Sequence, residues 1–315
     1  YGGVTNVNAG TLRIENIAAL GTTGGGTTVA VGATLQLDHN DVNNLAEPLT
    51  LNGTLHKTNV AGTTNVWSGD IALGASSQLL IDNSATLTTG RLRGLGDLVK
   101  NGLGTLVLTD IAADSDYAGA TRINAGTVRL SGGPNQNMIP DSSSVTVAAG
   151  ATLDIANNNE IVFGISGLGT IENSSGTRNV IVDNPGGAST FDGVLQNAAP
   201  GTLFLLKRGS GSLTLTGANT FTGATTIEGG SLVVTGSITS GTTVQSGTTL
   251  GGTGTVGPVT VESGGTLSPG LSPGILKSGN LNLNSGAIFK VELNGSTVGT
   301  QYDQVDVAGS VDLHA

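Results

Sequence analysis

Apolar residues recur at every second position in short runs along the chain. Leu35 and Leu37 do so in "TLQLD" (34–38), Leu213 and Leu215 in "SLTLT" (212–216), and Leu281 and Leu283 in "NLNLN" (280–284). This alternation turns Leu to one face of a strand and Thr, Ser or Asn to the other. A Gly followed by one or two small residues and then Leu or Ile punctuates the runs: "GATL" (32–35 and 150–153), "GTL" (53–55 and 265–267), "GTTL" (247–250) and "GAI" (286–288). Successive Leu-type positions lie 17 to 25 residues apart, as in Leu12, Leu35 and Leu55, or Leu232, Leu250 and Leu267.

Period-2 strands that return about every 20 residues, separated by Gly turns, predict an all-β, parallel β-helix. Strands of a sandwich or meander would return about every 8 to 12 residues. At ~4.8 Å per coil, one solenoid over 1–315 would have roughly 15 coils and a length of ~75 Å. Leu and Val would face inward, and Gly, Ser and Asn would make the corners, where positive φ is often required.

A longer repeat lies over this rhythm. "GSGSLTLT" (209–216) matches "GLGTLVLT" (102–109), and "FTGATTIEGGSLVVTG" (221–236) matches "YAGATRINAGTVRLSG" (117–132). Between the halves, "GANT" (217–220) is replaced by the longer "DIAADSD" (110–116). The opening "YGGVTNVNAGTLRI" (1–14) repeats the second half again, so copies fall at 1–14, 102–132 and 209–236. The shared frame is aromatic-x-Gly-x-Thr-x-apolar-x-x-Gly-Thr/Ser-apolar. Tyr117, Gly119, Thr121, Ile123 and Gly126 fill it in one copy, and Phe221, Gly223, Thr225, Ile227 and Gly230 in another. A flexible tether has no reason to keep such a frame, so these stretches are structural.

Composition narrows the class. The chain has 52 Gly, no Cys, 37% hydrophobic residues and a mean hydropathy of +0.14, which is too apolar for disorder. A net charge of −10 and a pI near 4.5 argue against nucleic acid or an anionic membrane surface as partner. The few cations, among them Arg91, Arg93, Lys207 and Arg208, form no basic stripe. No run of 18 apolar residues is present, so no helix here spans a bilayer.

"GSGSLTLTGANTFTGATTIEGGSLVV" (209–234) resembles, at nearly every position, the passenger-associated repeat of bacterial autotransporters, roughly G-x-G-T-L-x-L-x-G-x-N-x-Y-x-G-x-T-x-[IV]-x-x-G-x-L. The copies at 102–130 and 1–12 resemble it less fully. The stretch 167–196 is similar to segments that precede such repeats, and 265–315 to segments that close many such passengers. The resemblance implies a secreted, right-handed parallel β-helix at a bacterial surface, acting as a stalk or in adhesion, without cofactor or catalysis. It implies that the chain is part of a longer protein. Partners would be neighbouring or host cell-surface glycans or proteins, or other copies stacking end to end into a filament.

Several stretches match motifs that carry chemistry in other folds. "GLSPG" (270–274) matches the nucleophile-elbow pattern, but Pro273 has no N–H to serve as the oxyanion donor. "GTGTVG" (252–257) matches a dinucleotide loop, but "PVTVESGGTL" follows and predicts a strand where a helix is needed. "GGTGTV" (251–256) has Val256 where a calcium-binding nonapeptide has Asp. Asp110, Asp114 and Asp116 in the inserted loop are the candidate cation ligands, weighed against a solvated loop. His39, His56 and His314 lack zinc spacing, and Trp67 is assigned to packing rather than to sugar stacking. A polysaccharide-cleaving β-helix is the enzymatic alternative, with Asp82, Asp183, Asp192 and Arg178 as its candidates. Asp beside Asn or Gly, as at all three, is more often a turn former.

Overall fold

A computed structural model describes residues 2–39, 44–59, 64–109, 114–133 and 137–314. Its contacts divide into two compact units, Tyr1–Glu160 and Ile161–Ala315. Each is a parallel β-solenoid, and the only helix among the described residues is the 3-10 turn Ile17–Leu20. The Asn16 side chain accepts from the Ala18 N–H at 2.8 Å and so caps that turn.

In the first unit each full coil makes three short strands. The first face holds Thr5–Val7, Thr27–Val29, Leu49–Leu51, Ile71–Leu73 and Leu92–Gly94. The second holds Thr11–Ile14, Thr34–Leu37, Thr54–Lys57, Gln78–Ile81, Leu98–Asn101, Thr121–Ile123 and Ser144–Val147. The third runs from Asn44–Leu45 to Thr152–Asp154. Register follows the sequence rhythm: Thr11 pairs with Thr34 and Thr34 with Thr54, while Leu12, Leu35, Leu55 and Leu79 stack in one column. A slip by one residue would turn every Leu outward, so the buried face fixes the register.

The second unit repeats the scheme. Gly164–Gly167, Ala188–Phe191, Ser212–Leu215, Ser231–Val234, Thr249–Gly252, Thr266–Pro269 and Ile288–Phe289 stack on one face. Thr177–Asp183, Thr202–Arg208, Thr225–Ile227, Thr242–Val244, Val259–Val261, Leu281–Leu283 and Val311–Leu313 stack on another. Leu213, Leu232, Leu250 and Leu267 form a continuous column, fully buried. The coils are slightly fewer than the sequence spacing predicts, because several carry excursions such as Pro269–Ile275 and Phe289–Gln304 between strands.

The two glycines of the repeat frame are needed for different reasons. Gly126 and Gly230 have φ of +66° and +63°, a left-handed corner that Gly adopts without a Cβ penalty. Gly119 and Gly223 lie flat beneath the preceding coil. A Cβ on Gly223 would strike the Leu203 carbonyl and the Phe204 ring, and one on Gly119 would reach the Asp97 N at 2.6 Å.

Candidate functional site

The repeat places polar atoms inside the solenoid, and these are the chemically distinctive groups of the chain. Lys100 and Lys207 are fully buried, although they are long, charged side chains. Lys100 Nζ donates to the carbonyls of Asn101 at 3.1 Å, Gly102 at 2.7 Å and, in the next coil, Ala125 at 3.0 Å. Lys207 Nζ donates to the carbonyls of Arg208, of Gly209 at 3.0 Å and, in the next coil, of Gly229 at 3.2 Å. The two clamps correspond residue for residue. An ammonium has three donors and no acceptor, and each clamp gives it three carbonyls.

A corner turns carbonyls inward that no strand ladder can pair, and a buried unpaired carbonyl is costly. The lysines remove that cost and tie adjacent coils together. Asn219 does the same in the later copy: its Nδ2 donates to Gly217 and Ser237, both at 3.0 Å, and its Oδ1 accepts from the Leu195 N–H at 2.9 Å. Burial holds Lys57, Lys100 and Lys207 below the usual lysine range, Lys100 down to about 8.

The aromatic of the frame points inward in both copies. Tyr117 Oη lies 2.6 Å from Thr121 Oγ1, which lies 3.0 Å from Ser143 Oγ, and Ser143 donates to the Gly119 carbonyl at 3.0 Å. Phe221 occupies the matching place without a hydroxyl, and there Thr225 Oγ1 and Ser240 Oγ are 3.5 Å apart. Ile123 and Ile227 complete the frame, stacked on Lys100 and Lys207 in the preceding coil. Tyr1 lies outside the described residues.

The other residues singled out from sequence do not converge. Asp110 lies outside the described residues. Asp116 is paired with Arg91 at 2.6 Å, and the Asp114 carboxylate accepts from the Asn137 N–H at 3.3 Å. No group of three or more His, Asp or Glu among the described residues could hold a metal ion. His56 Nε2 is 2.9 Å from Asp82, His39 Nδ1 is 3.2 Å from Asn65 Nδ2, and His314 is beside Asp312 at 3.4 Å. Asp192 accepts from Thr216 Oγ1 at 2.6 Å, Asp183 is close enough to Lys207 to act on its charge, and Arg178 donates to the Thr177 carbonyl. These candidates of the enzymatic reading are thus engaged with different neighbours. Trp67 is fully buried and its Nε1 donates to the Glu47 carbonyl at 2.8 Å.

In "GLSPG", Ser272 has φ +98° and its Oγ donates to Glu292 at 2.9 Å. Asp303 holds this loop from beneath, accepting from the Gly274 N–H and the Glu292 N–H, both at 2.8 Å. In "GTGTVG" the strand Val259–Val261 follows, not a helix. Lys100 was not singled out from the sequence, and Lys207 was named there only among the few cations that form no basic stripe. The signal that marks them is the alignment of "LVKNGLG" with "LLKRGSG", where Lys sits two residues before the corner Gly in both.

Three stacked parallel faces, with interior polar groups that cap their own corners, define a repeat β-solenoid. The family model described as passenger-associated-transport-repeat matches residues 1–14, 98–130 and 205–234. The two internal matches begin early enough to take in Lys100 and Lys207. A curated relative, the adhesin BmaC autotransporter of Brucella suis biovar 1 (strain 1330), is 31% identical over 159 residues, 50% of this chain. The chain spans about 4% of the length of that protein. No solved structure matches this chain. The chain is a β-solenoid that carries passenger-associated transport repeats over these three stretches and is similar to part of an autotransporter adhesin, a similarity that points to the bacterial cell surface or exterior.

Proposed function

We propose that this solenoid is a non-catalytic segment of a surface adhesin, a stiff support that carries or forms part of the adhesive surface. The observation that carries this reading is the use of its interior chemistry. Lys100, Lys207, Asn219 and the Tyr117–Thr121–Ser143 chain all bond the corners or each other, which serves coil stacking rather than a substrate. The similarity to the adhesin BmaC autotransporter supports the same reading. Outward positions are mainly Thr, Ser and Asn, as in the column Thr226, Thr243, Thr260 and Asn282. Such a surface suits weak contacts, repeated along the stack, with cell-surface glycans or proteins.

Beads coated with the purified chain should bind host or neighbouring cells and retain specific members of a glycan array, with no release of reducing ends or unsaturated uronates. Release of sugar ends that disappears in Asp82→Asn, Asp183→Asn or Asp192→Asn variants would replace this reading with the enzymatic one.

A further inference from the structure

The first face of the first unit loses its strands after Leu92–Gly94. The next segment stacks without forming a strand: Asp116 N–H donates to the Leu92 carbonyl at 3.0 Å, and Ala118 N–H to that of Gly94 at 2.9 Å. Asn137–Ser143 follows one coil later, joined through the Ser115 N–H to the Asn137 carbonyl at 3.2 Å. Pro140 interrupts it and removes a donor. Met138 and Ile139 within it are fully buried.

One carboxyl group holds this irregular segment. Glu160 is 1% exposed, and its Oε1 accepts from the Ile139 N–H at 2.8 Å. The Met138 N–H also bonds the carboxyl, and Asn158 Nδ2 lies 2.5 Å from Oε2. The groups facing Glu160 are Asp141 on the segment itself and Tyr117 from the preceding coil, which in turn faces Asp97. No Lys or Arg of the described residues pairs with it. A buried carboxylate without a cation is costly; the three N–H donors on Glu160 favour its charged form, but burial outweighs them and leaves the neutral form favoured.

We propose that Asn137–Ser143 is a flap latched by Glu160 in its neutral form and released when that carboxyl loses its proton. Burial, with Asp141 adding to it, pushes the Glu160 carboxyl well above the usual carboxylate range. The latch is therefore at full strength below the ordinary value of about 4.5 and is lost as pH rises through the raised value. Release would bring Met138 and Ile139 to the surface.

Hydrogen exchange of the Met138 and Ile139 amides, corrected for the intrinsic pH dependence of exchange, tests this from pH 4 to 9. Protection in the wild-type chain should fall at least tenfold across the range, while amides of Leu12–Ile14 stay unchanged. Glu160→Gln keeps an acceptor for Ile139 and has no proton to lose, so its protection should not vary with pH. A flat wild-type profile, or the same fall in E160Q, overturns the proposal. If E160Q does not fold, Asp141→Asn carries the test. Its transition should move to lower pH than in the wild type, and an unmoved transition likewise overturns the proposal.

Discussion

Tyr117 Oη and Thr121 Oγ1 meet at 2.6 Å inside the first unit, where the neighbouring side chains of the column are aliphatic. The pair starts a chain of hydroxyls that ends on the Gly119 carbonyl through Ser143. The later repeat copy has Phe221 in the same place, so the fold does not require the hydroxyl; this coil has adapted to it. Removing the hydroxyl in Tyr117→Phe leaves Thr121 a partner in Ser143, which limits the loss to about 1 kcal/mol. Denaturant unfolding of Y117F, T121V and the double variant measures it. The pair couples if the double variant loses less than the sum of the singles.

The Leu250 column predicts a larger effect. Leu250 lies between Leu232 and Leu267 in register, and all three are fully buried. Leu250→Ala opens a cavity that the coils above and below cannot close, and it should cost about 2–5 kcal/mol by denaturant unfolding. Thr249→Ala, one residue away on the outer side, should change stability by less than about 0.5 kcal/mol.

Glycines separate into two kinds that a single substitution each can distinguish. Gly247 has φ +76° and open space where a Cβ would stand. Gly223 has no left-handed φ, but a Cβ there collides with the Leu203 backbone carbonyl. Gly247→Ala should cost about 1–2 kcal/mol from the left-handed backbone alone. Gly223→Ala forces adjacent coils apart and should cost more than about 3 kcal/mol or prevent folding. Thermal unfolding of the two variants side by side checks the order, and a larger loss in G247A would contradict it.

Periodicity carried the fold because burial in a solenoid is so regular. Leu12, Leu35 and Leu55, about 20 residues apart in the sequence, stack on one another in register, as do Leu232, Leu250 and Leu267. The frame glycines were legible for the same reason. Inward-facing polar residues were not. Lys207 stands beside Arg208 in the sequence, and composition does not separate the two, although Arg208 pairs with Glu228 at 2.9 Å on the outside. The strand phase, with Leu203, Leu205 and Lys207 alternating inward, marks the lysine as interior, and its alignment with Lys100 repeats the mark. Glu160 carries that mark only faintly, since it shares the inward phase with Val162 alone in the three-residue strand Glu160–Val162, and the segment it bonds, Asn137–Ser143, keeps no period at all.

The lysine clamp leads to a prediction in which pH gives the sign. Burial lowers Lys100 to about 8, against an ordinary value near 10.5 in the unfolded chain. Folding then releases a proton in the window between those values, so stability contributed by this group is fully present above about 10.5 and falls as pH drops through about 8. Lys100→Met keeps the buried stem but leaves the carbonyls of Asn101, Gly102 and Ala125 without their donor. An unpaired buried carbonyl costs about 1–3 kcal/mol, so K100M should be destabilised by roughly 2 kcal/mol or more at neutral pH. Its stability should also lack the rise between pH 8 and 10.5 that the wild type shows. Unfolding midpoints of both proteins across that range decide the matter: parallel curves would mean that Lys100 does not titrate inside the fold.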